Sequence, residues 1–240
     1  MIGATSQIAQ ALAWELTTQA EEICLAGRGG FHLEEVAADL SLRSQSKITS
    51  IVFPMGKNDG AEDLVKTLGS RAASFDLIVV AYGEFGKHHA EKEMTPVFAT
   101  ETIEVNYSSV VALLCEFISK LDWRREMTFL VIGSIAGDRG KARNLVYASA
   151  KGALDFYLKG LRQKFRRTKI RFLTLKPGPT RSSMTKGIQS RLMADPKEIA
   201  PYVVRAAEKG REIIYAPRYW SVIMFVVRSI PESIFRRLSL

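Results

Sequence analysis

The sequence predicts an α/β protein. Its core is expected to be a doubly wound parallel sheet of about seven strands with helices on both faces, followed by an amphipathic C-terminal tail. Three observations carry this expectation. Six short runs, EEICLAG, ITSIVF, FDLIVVAYG, MTFLVIGS, KIRFLTLKPG and REIIYAP, are apolar almost without a break. Strands buried on both faces read that way, whereas half-solvated strands alternate apolar and polar residues. Amphipathic stretches lie between the runs, at about 7–20, 31–43, 60–70, 99–121, 147–166 and 196–209. Strand–helix alternation of this kind gives parallel strands joined by right-handed crossovers. Finally, the turn GATSQIA, starting at Gly3, opens the first helix directly after the first strand.

Taken in order, that first strand is short. Only Met1 and Ile2 precede Gly3, where a central strand has about five or six residues, so its start is expected upstream of residue 1. Gly3 permits a tight turn, and the small residues after it let a pyrophosphate approach the helix N-terminus, where backbone N–H groups and the helix dipole favour an anion. The turn departs from G-x-G-x-x-G, since Gln7 and Ala9 stand where glycines are usual. The second strand ends at Gly27 with Arg28 behind it, and the fourth closes on VAYG, which holds Ala81 and Gly83. The helix over 99–121 carries Asn106, the next strand ends in Ser134, and the strand after that ends in the Pro-Gly turn of KPGPTRSSM.

Chemistry concentrates in LVYASAKGALDF, where Tyr147 and Lys151 stand four residues apart on one helical face. A free tyrosine titrates near ~10, so it needs help to move protons near neutrality. An ammonium one turn away favours the phenolate. A chance Y-x-x-x-K is common, but Ser134 at a strand end and Asn106 at a helix base supply hydroxyl and amide partners around the same crevice. Ala148, Ser149, Ala150 and Gly152 leave room beside the helix for a flat ligand or a neighbouring helix.

In GATSQIA, VAYG, Asn106, Ser134, YASAK and PGPTRSSM, in that order, the chain resembles the short-chain dehydrogenase/reductase family, whose domain is a Rossmann-type fold. The resemblance implies an NAD(P)-dependent oxidoreductase acting on CH-OH groups. It implies that Tyr147 protonates a carbonyl oxygen as hydride arrives and that Ser134 hydrogen-bonds the same oxygen. Lys151 would bind the nicotinamide ribose and tune the tyrosine, and Asn106 would hold a relay water. Gly3, Ser6, Gln7 and Ile8 match the pyrophosphate turn, Ala81 and Gly83 the adenosine side, and Pro177, Gly178, Thr180 and Ser182 the carboxamide loop. Two departures stand out. Tyr82 replaces an alanine usual in that family, and VFPMGKND offers no acid before Asp59 for the adenine ring. At Arg28, an acid would accept from a ribose 2′-OH, but a guanidinium fork matches phosphate oxygens. NADP(H) is therefore favoured, with NAD(H) the alternative; Arg28 could also be a plain surface residue.

Apolar residues make up 47% and charged residues 25% of 240 residues, a globular mix with no linker, which predicts one domain. Its Rossmann-type body is expected over 1–217 and its extension over 218–240. Cys24 and Cys115 lie in apolar runs and are expected to be buried free thiols. No metal site is expected. The formal charge is +9, and residues 162–171 hold six basic side chains with no acid. That run lacks aromatic interleaving, so nucleic acid is not an expected partner. No signal peptide is seen, which predicts a cytoplasmic protein.

The tail, YAPRYWSVIMFVVRSIPESIFRRLSL, is aromatic and aliphatic between arginines. Between Arg218 and Arg228 it is far shorter than the ~20 apolar residues that span a bilayer. An interfacial segment peripheral to the cytoplasmic membrane face is one reading, with Trp220, Ile223, Phe225 and Val226, then Ile234, Phe235 and Leu238, facing lipid. A subunit contact or a pocket cover is the other. With VNY around Asn106 and AGDRGKARNLVYASAKGALDFYLKGL, the ending IPESIFRRL is similar to the branch of the family that reduces decaprenylphosphoryl-2-keto-erythro-pentose. That likeness implies a lipid-linked keto-sugar. The alternatives are a reductase of a soluble ketone and a non-catalytic nucleotide-sensing module, and the Asn106, Ser134, Tyr147 and Lys151 set argues against the sensor. The resemblance also implies a homodimer or homotetramer through the helices at 99–121 and 147–166, where Val110, Val111, Leu114, Phe117, Leu154, Phe156, Leu158 and Leu161 look in excess of one sheet contact.

Overall fold

The computed structural model describes residues 1–54, 59–85, 95–142, 144–187 and 190–238. Among the described residues six strands, all paired in parallel, form the sheet: β1 (Glu22–Gly27), β2 (Lys47–Val52), β3 (Leu77–Val80), β4 (Met127–Ile132), β5 (Ile170–Pro177) and β6 (Ile213–Ala216). They make two ladders, β1–β2 and β3–β4–β5–β6. In place of the seventh strand expected between them, Ile2 bridges Ala26 on one side and Val80 on the other. Its N–H donates to Val79 and its carbonyl accepts from Ala81, both at 2.7 Å. The chain therefore winds outward in opposite directions from Ile2, and the carboxyl ends of β1 and β3 diverge there. That reversal opens the crevice in which ligands of open α/β sheets sit.

The unbroken apolar runs have a direct structural cause. In β4, Phe129 and Val131 face one layer of helices while Leu130 and Ile132 face the other. The first layer holds α3 (Asp59–Leu68), α5 (Ser109–Ser119) and α6 (Leu145–Phe165). The second holds α1 (Gln7–Leu16) and α7 (Pro196–Glu208), with α2 (Gly30–Arg43) packed on β1 and β2. Phe129 stacks on Phe172 with ring centroids 4.9 Å apart. Burying each side chain of this size stabilises the fold by about 1.5–3 kcal/mol.

The helix read over 99–121 is broken into α4 (Pro96–Ile103), a π-helical turn at Glu104–Ser108 and α5. Such turns shift the hydrogen-bond ladder by one residue and often mark functional sites; this one contains Asn106. The tail forms α8 (Trp220–Ser229) and, past Pro231, α9 (Glu232–Phe235).

Three expectations are corrected. Cys24 is buried, but Cys115 is exposed, its Sγ 3.4 Å from the Tyr157 hydroxyl. Val110, Leu114, Phe117, Leu154, Leu158 and Leu161 are not surplus surface, because they fill the core between helices and sheet. Of the proposed contact residues, Phe156 is 81% exposed and Val111 partly so. Trp220 and Phe235 turn inward and are buried on the body, which leaves Val222, Phe225, Val226, Ile234 and Leu238 as the exposed apolar side of the tail.

Candidate active site

The carboxyl ends of β3, β4 and β5 converge on a cleft of about 420 Å³. Ser6, Ile8, Ala81, Gly83, Ser134, Tyr147, Lys151, Pro177, Gly178, Thr180 and Ser182 line it. Gly3, Gln7, Arg28 and Asn106 stand behind these residues or beside them.

At one end lies the turn into α1. Gly3 has φ +81°, and a Cβ there would lie 2.8 Å from the Ala81 carbonyl carbon and the Tyr82 nitrogen. Only glycine lets this turn press against the end of β3. Ser6 caps α1, accepting from Ala9 N–H at 3.4 Å, and Ser6 and Ile8 set the N-terminus of α1 at the cleft, where a helix end favours an anion. Gln7 points away and ties the turn to the loop after β5, its Oε1 accepting from Ser183 N–H at 3.4 Å. Arg28, exposed just past β1, has no ion-pair partner among the described residues. Tyr82 turns its hydroxyl toward α5, donating to Ser109 at 3.3 Å. The stretch before Asp59 lies outside the described residues.

At the other end, Ser134 caps a 3₁₀ turn, Ile135–Asp138, its Oγ accepting from Ala136 N–H at 3.1 Å. Tyr147 and Lys151 occupy the first two turns of α6, both buried. The Lys151 ammonium lies 5.9 Å from the Tyr147 ring centroid and donates to the Ile132 carbonyl at 3.2 Å. Burial pushes the Tyr147 phenol up to about 12, and a hydrogen bond with Ser134 pulls only partly against that. Burial also lowers Lys151 to about 8. The lysine was expected to lower the tyrosine. In the protein alone desolvation wins, and the phenol is held as a neutral acid.

Asn106 is fully buried. Its amide nitrogen donates to Glu84 O at 2.8 Å and Thr102 O at 2.9 Å, and its Oδ1 accepts from Glu84 N–H at 3.1 Å. The shifted ladder of the π turn is thereby satisfied by the asparagine itself. The residue also pins the turn after β3 beside Lys151, since a Cβ on Gly83 would lie 2.7 Å from Asn106 Oδ1 and 3.1 Å from Lys151 Nζ.

Several contacts of this region carried no signal in the sequence. Phe85 sets its ring edge-on to Tyr147 at 5.0 Å and walls the cleft with Met184. Gly137 lets the 3₁₀ turn touch α6, for a Cβ there would lie 2.7 Å from Gly152 N and Lys151 C. A Cβ on Gly178 would meet the Trp220 indole nitrogen at 1.9 Å, so α8 packs directly against the Pro-Gly loop. Arg139, just past the turn, pairs with Glu232 at 2.6 Å and lies 4.3 Å from the Phe235 ring centroid. The tail thus braces both walls of the cleft from behind.

A helix N-terminus at one end and a Tyr-Lys-Ser group at the other, joined across a strand-order reversal, is the layout of a dinucleotide-dependent proton-transfer site. Residues 1–192 match the family described as short chain dehydrogenase. The chain belongs to the short chain dehydrogenase family. It is an NAD(P)-dependent oxidoreductase. Its relatives include an uncharacterized oxidoreductase of Streptomyces coelicolor, 27% identical over 241 residues, covering 99% of this chain and 94% of the relative. Another, from Mycobacterium tuberculosis, is 27% identical over 239 residues, covering 99% and 95%. Among solved structures, a Sphingobium yanoikuyae short-chain dehydrogenase in complex with NADPH matches with TM-score 0.81 at 16% identity, covering 97% of this chain and 96% of that one. An alcohol dehydrogenase from Thermococcus sibiricus complexed with 5-hydroxy-NADP matches with TM-score 0.78 at 22% identity, covering 90% and 92%. At such identities the likeness is one of fold. No helix among the described residues of this dehydrogenase is long and apolar enough to cross a membrane.

Proposed function

We infer that this short chain dehydrogenase is an NADP(H)-dependent reductase that converts a carbonyl to a secondary alcohol. The observation that carries the reading is the buried Tyr147 phenol, in the same cleft as Ser134 and one turn from Lys151, with burial favouring its neutral form. A phenol held neutral is a proton donor, and carbonyl reduction needs one. The cofactor supplies the hydride when bound. Ser134 and Tyr147 converge on the carbonyl oxygen, and Tyr147 releases its proton to it. The Lys151 ammonium stabilises the phenolate left behind. Asn106, whose amide N–H groups are both spent, keeps one Oδ1 lone pair for a relay water. The direct test follows NADPH absorbance over a panel of ketones and keto-sugars. A protein that binds NADPH but reduces none of them would sink the reading.

NADPH preference is assigned to Arg28, which stands just past β1 beside the pyrophosphate turn with no ion-pair partner among the described residues. Solved neighbours carrying NADPH or an NADP derivative support it. Arg28→Ala is expected to weaken NADPH binding ~10-fold or more and NADH binding little, because only NADPH offers a 2′-phosphate to the guanidinium. Fluorescence titration of both cofactors measures this, and equal losses would remove Arg28 from the role.

The substrate reading is a polyprenyl-phosphate-linked keto-sugar taken at a membrane surface. Its support is the exposed face of Val222, Phe225, Val226, Ile234 and Leu238 with Arg218, Arg236 and Arg237 around it. Tyr219 also ties α8 to the loop after β5, its hydroxyl donating to Leu192 O at 3.3 Å. Phe225→Glu with Val226→Glu should release the protein from anionic liposomes at low salt and leave cofactor binding intact. The pair replaces a simple truncation because Trp220, Met224 and Phe235 are core contacts. Those same contacts favour the second reading, a soluble ketone with the tail as a brace; an intact protein that ignores anionic liposomes at low salt selects it.

The outer faces of α5 and α6 are assigned to self-association around Phe156. A dimer or tetramer is expected in light scattering at micromolar concentration, and a monomeric mass would contradict it.

A further inference from the structure

A second group of charges lies behind the cleft, and the carbonyl chemistry does not use it directly. Lys176 is 1% exposed, and its ammonium pairs with Asp138 Oδ1 and, at 2.9 Å, with Asp155 Oδ2. The Tyr215 hydroxyl donates to Asp138 Oδ2 at 2.6 Å. Lys159, half in solvent, reaches Asp155 at 2.9 Å. Asp155 Oδ1 is buried and has no hydrogen-bond partner among the described residues.

The positions of these residues in the chain give the cluster its meaning. Asp138 ends the 3₁₀ turn that Ser134 begins. Asp155 lies one helical turn beyond Lys151 on α6. Lys176 directly precedes Pro177 and Gly178. One ammonium is therefore bonded to each of the other two segments that wall the cleft, from the third. The contact is close, since Gly137 touches the backbone of Lys151 and Gly152. Buried ion pairs add little net stability, because desolvation offsets their attraction. What they fix is direction, and hydrogen-bonded charges in a dry interior hold one geometry.

We propose that Lys176, held by Asp138 and Asp155, is a positioning residue for carbonyl reduction, setting the Ser134 turn, the Tyr147–Lys151 helix and the Pro177–Gly178 loop in register. The proposal rests on the reductase reading above. Misplacing a reacting group by about 1 Å costs ~100-fold in rate, so loosening this pin acts on turnover. Cofactor affinity also draws on the turn at Gly3 and on Arg28, away from the pin, so it should change far less than turnover.

The test uses full-length protein, NADPH and any ketone the wild type reduces. Asp138→Asn should lower kcat ~10-fold, with KM for NADPH and for ketone within about twofold of wild type. Lys176→Met should lower kcat further, because it leaves Asp138 with no cation among the described residues and Asp155 with Lys159 alone. Adding Asp138→Asn to Lys176→Met should recover several-fold of that loss. By hydrogen exchange, peptides over 134–140 and 177–182 should open faster in Asp138→Asn, while those of α3 do not change. Wild-type kcat in Asp138→Asn overturns the proposal. So does a loss expressed as higher KM at constant kcat, or a Lys176→Met defect that the second substitution does not relieve. Should Lys176→Met fail to fold, Asp138→Asn decides by itself. A wild-type protein that reduces no ketone sinks the reductase reading instead, and hydrogen exchange then decides whether Lys176 holds the three segments.

Discussion

Tyr147→Phe is expected to cut turnover at least ~100-fold while leaving NADPH affinity nearly intact, the usual share of general acid catalysis. The substitution removes one hydroxyl from a buried ring and leaves the edge-on contact with Phe85 in place, so the loss reads the proton and not the packing. Turnover near wild type on the true substrate would remove Tyr147 from the chemistry. The pH dependence of the wild type separates the two candidate ionisations. Tyr147 sits at about 12 and stays protonated through neutrality. Lys151, lowered to about 8 by burial, is an ammonium below that value and loses its charge above it. Reduction should hold through neutral pH and decline as pH rises past about 8. A profile flat to pH 10 would mean the ammonium does not assist proton release.

Gly137→Ala should be nearly as damaging, from a residue without a side chain. The added methyl would sit 2.7 Å from the backbone of Gly152 and Lys151, and backbone does not yield as a flexible side chain does. The 3₁₀ turn must move off α6 by several tenths of an ångström, carrying Ser134 away from Tyr147. Turnover is expected to fall ~10–100-fold, with overpacking lowering stability by about 1–3 kcal/mol. Steady-state kinetics with a thermal melt checks both, and unchanged kinetics would show that the contact is slack.

The fold was legible because strands buried on both faces leave unbroken apolar runs, and the outer ends of the six helices read from periodicity fell within a few residues of those observed, although the one over 99–121 is broken inside. Of the candidate site, the residues the structure brings together are those at strand ends and helix starts, where topology delivers side chains to one crevice. Three things were hidden. Asn106 reads as helical, and no composition signal marks the π turn around it. Helical periodicity shows that Leu154 and Phe117 face something apolar without saying whether it is the sheet or a second subunit. Lys176 stands at a strand end, where lysine is normally solvated; its partners, Asp138 and Asp155, come from elsewhere in the chain, so its burial is a purely tertiary fact.

The inward turn of Trp220, Met224 and Phe235 also governs how this protein can be handled. A protease cut after Arg228 would shed Glu232 and Phe235 together and strip Arg139 of its carboxylate and its aromatic neighbour in one event. Clipped preparations would then lose turnover for a reason unrelated to lipid. An affinity tag appended beyond Leu238 clears these contacts, whereas a fusion joined upstream of Phe235 breaks into the wall behind Ser134. Intact mass at the C-terminus is accordingly the quality check to make before any activity is compared between batches.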